Sequence, residues 1–242
     1  MSTPAARPRP TWIDYPDTDG KPMAENTIQY EWIVKIKGSL GSAFADRPDV
    51  FVAGDLFWYP VEGDNKTRMA PDVMVAVGRP KGDRYSYMQW VEEGIPPQVV
   101  FEILSPGNRS REMQRKLEFY ERFGVEEYYI YHPERDRLTV RIREGGRLVE
   151  RPVTGEWVSP LLGIRFDTTV HPMVIYKPDG GPFETFDEVV SGRGKAVRER
   201  DAIAEQRDAI AEQRDAIAEQ RDAALRDRDR LLARLKELGI EP

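Results

Sequence analysis

A glutamate lies inside an otherwise apolar run, Gln98-Val-Val-Phe-Glu-Ile-Leu-Ser105, and an aspartate opens another, Asp72-Val-Met-Val-Ala-Val77. Burying an ionised carboxylate costs on the order of several kcal/mol unless a cation or strong donors compensate it. Read singly, Glu102 fits a partner of a buried Arg or Lys, or a strand end that reaches water. Asp72, which follows Pro71, fits a turn residue. Read together they are two carboxylates about thirty residues apart on separate strands. Such a pair can hold a hard divalent cation, Mg²⁺ or Mn²⁺, through oxygen ligands. A third component is a cation able to orient water and steady charge developing on a phosphate. Lys116 is the first candidate, on the helix after Glu102, with Gln114 and Arg115 as weaker ones; the plainer reading of Lys116 is a helix lysine snorkelling to solvent.

Composition limits the alternatives. The chain has no Cys and two His, His132 and His171, which excludes disulfides, thiolate chemistry and multi-histidine metal centres. No apolar stretch approaches the ~20 residues of a bilayer span, and the Pro- and Arg-rich Met1–Pro10 lacks the apolar core of a signal peptide. A cytoplasmic protein with no membrane role is expected. The net charge of −6 opposes a polyanionic partner at first sight. A carboxylate centre with basic residues confined to one surface remains compatible with a phosphodiester substrate, and that surface would hold Arg109, Arg111, Arg115 and Lys116, with Arg79, Lys81 and Arg84 as further members. Ser105 has no Gly-x-Ser-x-Gly elbow, and Gly78–Gly82 lacks P-loop spacing.

The elements that must position these residues can be read from periodicity. Residues 1–24 carry Pro, Gly and Asp without a period and form an arm expected to be flexible. Ile28, Trp32, Ile36 and Leu40, with Ile33, predict an amphipathic helix over about 25–44. Strands are predicted at 50–59, 72–77, 99–104, 127–131 and 138–143, with a short helix near 86–93. A second helix is predicted over about 110–123, its apolar face made by Met113, Leu117 and Tyr120, with Gly124 just past its end. The order implies an α/β domain over 25–190, a mixed sheet flanked by helices.

Residues 191–242 are a different object. Arg-Asp-Ala-Ile-Ala-Glu-Gln occurs at 200–206, 207–213 and 214–220, a heptad period that predicts a long helix. Each repeat offers one isoleucine to a seam, Ile203, Ile210 and Ile217, with no second core position. A solvated helix with weak self-association is favoured over a stable parallel coiled-coil dimer, though the helix offers a route to a homodimer.

Ala70-Pro-Asp-Val-Met-Val75, Val99 to Arg109, Lys116-Leu-Glu-Phe-Tyr120 and Gly124 to Ile130 together resemble the Uma-type family of restriction endonucleases, a branch of the PD-(D/E)XK nuclease superfamily. The resemblance covers roughly residues 25–175. It implies a restriction-endonuclease-like mixed β-sheet flanked by helices, and Mg²⁺-dependent hydrolysis of DNA. Carried over by position, Asp72 and Glu102 become the motif acids and metal ligands. The motif lysine, expected two residues beyond Glu102 where Leu104 stands, becomes Lys116 on the following helix. Glu31 resembles an additional metal-binding acid, with Asp55 its competitor, and Arg109, Arg111 and Arg115 become substrate contacts. Two readings compete: an RNA- or nucleotide-directed phosphodiesterase with the same site, and an inactive nuclease-like module that assembles through the C-terminal helix.

Overall fold

In the computed structural model, which describes residues 13–18, 20, 24, 26–108 and 110–237, Asn26 opens the first helix. Its side chain accepts the Gln29 N–H at 2.9 Å, satisfying one of the free donors of α1 (Thr27–Ala43). Gln29, Ile33, Ile36 and Leu40 are buried, whereas Ile28 is 46% exposed. The every-fourth-residue stripe expected from Ile28 therefore gives way to one starting at Gln29. A strict four-residue step drifts around a helix of 3.6 residues per turn, and the 29-33-36-40 spacing stays on one face. Each buried aliphatic side chain of that stripe contributes about 1.5–3 kcal/mol.

The strands that follow are β1 (Val50–Gly54), β2 (Trp58–Tyr59), β3 (Val73–Val77), β4 (Tyr87–Met88) and β5 (Val99–Ile103). The strand expected over 50–59 is broken in two. Asp55 takes a left-handed backbone, φ +47°, and its N–H turns to the carbonyls of Pro71 and Asp72. Beyond the break, β2 pairs in parallel with β4, which takes up the start of the short helix expected near 86–93; residues 89–94 follow as a turn, with the Glu92 N–H donating to Met88 O at 3.1 Å. The Tyr87 and Gln89 N–H groups donate to Phe57 and Tyr59 (2.7 and 2.9 Å), and Trp58, Tyr59 and Tyr87 are fully buried. Burial of three aromatics fixes this segment against its local helical tendency.

After β5 come α2 (Ser110–Phe123), β6 (Glu127–His132), a hairpin of β7 (Arg137–Glu144) and β8 (Arg147–Arg151), and a small antiparallel sheet of β9 (Glu156–Val158), β10 (Arg165–Asp167) and β11 (Val174–Tyr176). The main sheet is ordered β1-β3-β5-β6-β7-β8. All its neighbours are antiparallel except β5 and β6, whose parallel pairing needs the crossover that α2 supplies. Both faces are covered. Val73, Val75, Val99, Phe101 and Ile103 pack with α1 and the small sheet, while Met74, Ala76, Val100 and Tyr128 pack with α2. Strand alternation thus assigns Glu102 to the α2 face. Gly124 ends α2 at φ +99°, and a Cβ there would meet Pro96 Cγ at 3.0 Å.

Most of the arm expected at 1–24 lies outside the described residues. Within it, Tyr15 packs edge-on against Tyr59 at 5.1 Å, and the Tyr59 hydroxyl donates to Pro16 O at 2.6 Å. The chain divides into two compact units, Met1–Thr185 and Phe186–Pro242. The second holds α3 (Phe186–Glu237), 52 residues long, on which Ile203, Ile210 and Ile217 are each about 60% exposed. No helix among the described residues is long and apolar enough to cross a membrane.

Candidate active site

The register of β3 on β5 brings the two acids together. The pairing runs out to Val73 with Phe101, so one further step puts Asp72 opposite Glu102. Residues directly opposite across antiparallel strands share a face. The Asp72 Oδ2 atom accepts the Ile103 N–H at 2.6 Å, which fixes the carboxylate at the end of the pair. On the far side of the same residue, Gln29 Nε2 donates to the Ile103 carbonyl at 2.9 Å. The buried polar side chain of α1 therefore aligns the backbone beside the two acids.

Glu102 is 2% exposed and both its oxygens are occupied. Lys116 Nζ lies 2.6 Å from Oε2, and the Tyr120 hydroxyl donates to Oε1 at 2.5 Å. Lys116 and Tyr120 are four residues apart on α2, the spacing that stacks two side chains on one helical face. The amphipathic pattern that packs Tyr120 against the sheet also aims Lys116 at the carboxylate. The turn before α2 is tied by Ser105 N–H donating to Asn108 Oδ1 at 2.6 Å, and Leu104 N–H extends the β6 pairing to Tyr131 O at 2.7 Å.

The electrostatics follow from this burial. Desolvation, followed by the Glu102 charge, pushes the Asp72 carboxyl up to about 8, against the opposing pull of Lys116 and the Ile103 N–H. Burial lowers the Lys116 ammonium, but the charges of Glu102 and Asp72 outweigh it and hold the group above the usual lysine range. Desolvation, aided by Glu102, drives the Tyr120 hydroxyl well up. At neutral pH Lys116 is thus a cation and Tyr120 a neutral donor, and neither serves as a general base.

The remaining expected residues divide. Glu31 is exposed on α1, and among the described residues no group of three or more His, Cys, Asp or Glu is placed to hold a metal. Asp55, at the strand break, adds its charge to those acting on Asp72. Arg111 and Arg115 line one cleft with Lys116, and the far loop contributes Lys66 and Arg68 to it; its volume is about 770 Å³. Arg109 lies outside the described residues. Arg79 and Arg84 do not join this surface: both bind the buried Glu92, at 2.9 and 2.6 Å, and Lys81 holds the carbonyls of Phe44 and Ala45. His171 pairs with Asp136 at 2.5 Å, and His132 lines a second cleft on the other side of α2.

Sequence reasoning missed Gln29, Lys66 and Arg68, and gave Tyr120 only a packing role. The four-residue step from Lys116 to Tyr120 was the one signal available. Gln29 reaches Ile103 across more than seventy residues, and no local pattern carries that.

No curated protein matches the chain. One similar solved structure is described as a "putative nuclease belonging to DUF820" from Anabaena variabilis, with 16% identity, covering 52% of this chain and 72% of that one at a TM-score of 0.40. Residues 22–171, more than half of the chain, match the Uma2 family, whose description is "Putative restriction endonuclease". The chain belongs to the Uma2 family.

Proposed function

We propose that the protein is a divalent-metal-dependent endonuclease that hydrolyses DNA phosphodiester bonds at Asp72, Glu102 and Lys116. The observation that carries this reading is the buried contact of Lys116 with Glu102, opposite Asp72, with Lys116 also lining a cleft that holds Lys66, Arg68, Arg111 and Arg115 beside Glu112. The donor set fits a hard cation: two carboxylates face each other across the strands, while one lysine supplies a single positive charge. Asp72 and Glu102 would hold Mg²⁺ or Mn²⁺, with water and phosphate oxygens completing the shell. When bound, the ion supplies Lewis acidity and lowers the pKa of a water ligand.

The chain's own residues do the rest. Asp72 must give up its proton before it can ligate. Tyr120 fixes the rotation of the Glu102 carboxylate by holding Oε1. Lys116, already cationic, stabilises negative charge developing on the phosphate rather than taking a proton from the attacking water. The basic cleft positions the backbone by charge, without reading sequence.

The test is cleavage of supercoiled DNA during a Mg²⁺ titration by wild type, Asp72→Ala and Glu102→Gln. Loss of Mg²⁺-dependent nicking in both variants, with unchanged folding, supports the reading. Equal activity in all three proteins overturns it. A second role, assembly through α3, is favoured by the exposed isoleucines at heptad spacing and is compatible with the first.

A further inference from the structure

The second cleft beside α2, about 610 Å³, lies between that helix and strands β6 and β7 and has no part in the mechanism above. Its volume is in the range that holds small ligands. Leu104, Met113, Leu117 and Ile130 give it apolar walls. Two polar groups that line it break the rule that buried donors and acceptors are paired. The Tyr128 hydroxyl, on a residue 0% exposed, and His132 Nδ1 are both buried without a hydrogen-bond partner among the described residues. Arg135, exposed, and Arg141, which also bridges to Glu150 at 2.6 Å, bring positive charge to the same cleft, opposed by Glu134.

We propose that this cleft is a nucleotide pocket, in which a base lies between the apolar walls, hydrogen-bonds to Tyr128 and His132, and leaves its phosphate beside Arg135 and Arg141. Apolar walls, two buried hydrogen-bonding atoms without partners among the described residues and cations beside them match a heteroaromatic ring joined to an anion. The choice of a nucleotide over another such molecule rests on the nuclease reading. The nucleotide has two sources, a free mononucleotide or a base of the DNA substrate turned out of its stack. Because Tyr128 and Tyr120 rings pack edge to face at 5.0 Å, and Tyr120 holds Glu102, a base in this pocket would lie one aromatic layer from the candidate active site.

The test uses the full chain without metal, so that it does not depend on cleavage. Binding of each of the four deoxynucleoside 5′-monophosphates is measured by calorimetry for wild type, Tyr128→Phe, His132→Phe and Glu102→Gln. A parallel arm follows the fluorescence of 2-aminopurine placed in a duplex oligonucleotide. Tyr128→Phe removes one oxygen and keeps the ring, so its folding is expected to be unimpaired, which thermal unfolding verifies. Binding of at least one mononucleotide at about millimolar Kd or tighter, weakened about tenfold in Tyr128→Phe and His132→Phe but not in Glu102→Gln, supports a pocket for free nucleotides. A Tyr128-dependent rise in 2-aminopurine fluorescence without mononucleotide binding supports a pocket for a substrate base. Neither signal, or signals equal in wild type and Tyr128→Phe, overturns the proposal. Nucleotide binding that persists beside an absence of cleavage in the wild type would instead locate the failure in the nuclease reading.

Discussion

Glu102 on β5 and Glu127 on β6 are buried carboxylates on the two parallel strands, and of the two only Glu102 meets a cation among the described residues. Strand parity puts them on opposite faces of the sheet. Glu127 accepts from the Tyr129 hydroxyl at 2.8 Å, Ser159 Oγ at 2.5 Å and the Leu161 N–H at 2.7 Å, so donors alone offset its desolvation and tie the β9–β10 connection to the sheet. Replacing Glu127 by Ala strands the two buried hydroxyls at about 1–3 kcal/mol each, and the part-buried Leu161 N–H at less. We expect Glu127→Ala to lower the unfolding midpoint sharply and Glu102→Gln to lower it less, because Lys116 lines the open cleft and can turn its ammonium to water once the pair is broken. In a cleavage assay the order reverses for any Glu127 variant that stays folded: Glu102→Gln loses at least about a hundredfold in rate, on the scale of other electrostatic active-site deletions.

Removing Lys116 is expected to destabilise through Glu102. Lys116→Met leaves a buried carboxylate supported by Tyr120 alone, a loss of about 3–5 kcal/mol by analogy with other broken buried pairs. Adding Glu102→Gln should recover most of that stability while activity stays absent. Urea unfolding of the two single variants and the double variant measures the interaction; additive losses would contradict it.

The raised Asp72 pKa makes the stability of metal-free protein fall with pH. Between the ordinary value of 3.8 and the folded value near 8, the unfolded chain has released this proton and the folded chain keeps it. The group's contribution is complete below about pH 4, declines as the pH rises, and levels above 8. Thermal midpoints measured in EDTA should show this slope in wild type and lose it in Asp72→Asn, which becomes the more stable protein above pH 8.

The basic cleft should govern affinity rather than chemistry. Arg111→Ala and Lys66→Ala are expected to weaken DNA binding equally for unrelated sequences. The slope of log K against log salt should shrink by about 0.9 for each phosphate that a variant no longer neutralises. Fluorescence anisotropy across a salt series measures this, and a sequence-dependent weakening would assign these residues to base readout instead.

A chain ending at Thr185 should keep the unfolding midpoint of the first unit and its cleavage, since that unit carries the sheet and both helices of the site. Sedimentation of this chain beside the full one, and beside a chain with Ile203, Ile210 and Ile217 replaced by Lys, tests the assembly role of α3. Identical oligomeric states in all three would remove it.

Charge in an apolar context made the candidate site legible in the sequence. Asp72, Glu102 and Lys116 could be picked out because a buried strand rarely carries a carboxylate and because α2 has a clear apolar face. The observed bounds of α2, Ser110–Phe123, coincide with the expected ones for the same reason. What local pattern could not carry was pairing over distance. The break at Asp55, the pairing of β2 with β4 and the bond from Gln29 to Ile103 each depend on segments many residues apart, and each replaced a locally reasonable reading. Lys66 and Arg68 sit in a loop whose sequence reads only as a turn. Arg79 and Arg84 read as surface cations until Glu92 is seen between them.

The Gly124 turn sets how insertions and deletions are tolerated. From Glu102 the chain passes through the Ser105–Asn108 turn, fourteen residues of α2 and the crowded Gly124–Pro96 approach before it rejoins the sheet at Glu127. One residue added or removed before Lys116 would rotate the rest of α2 by about 100° and carry Lys116 and Tyr120 off the carboxylate together. The span from 102 to 127 is therefore of fixed length, and relatives that keep this site should vary in length elsewhere, as at the β7–β8 turn of Gly145 and Gly146, where added side chains meet nothing within 4 Å.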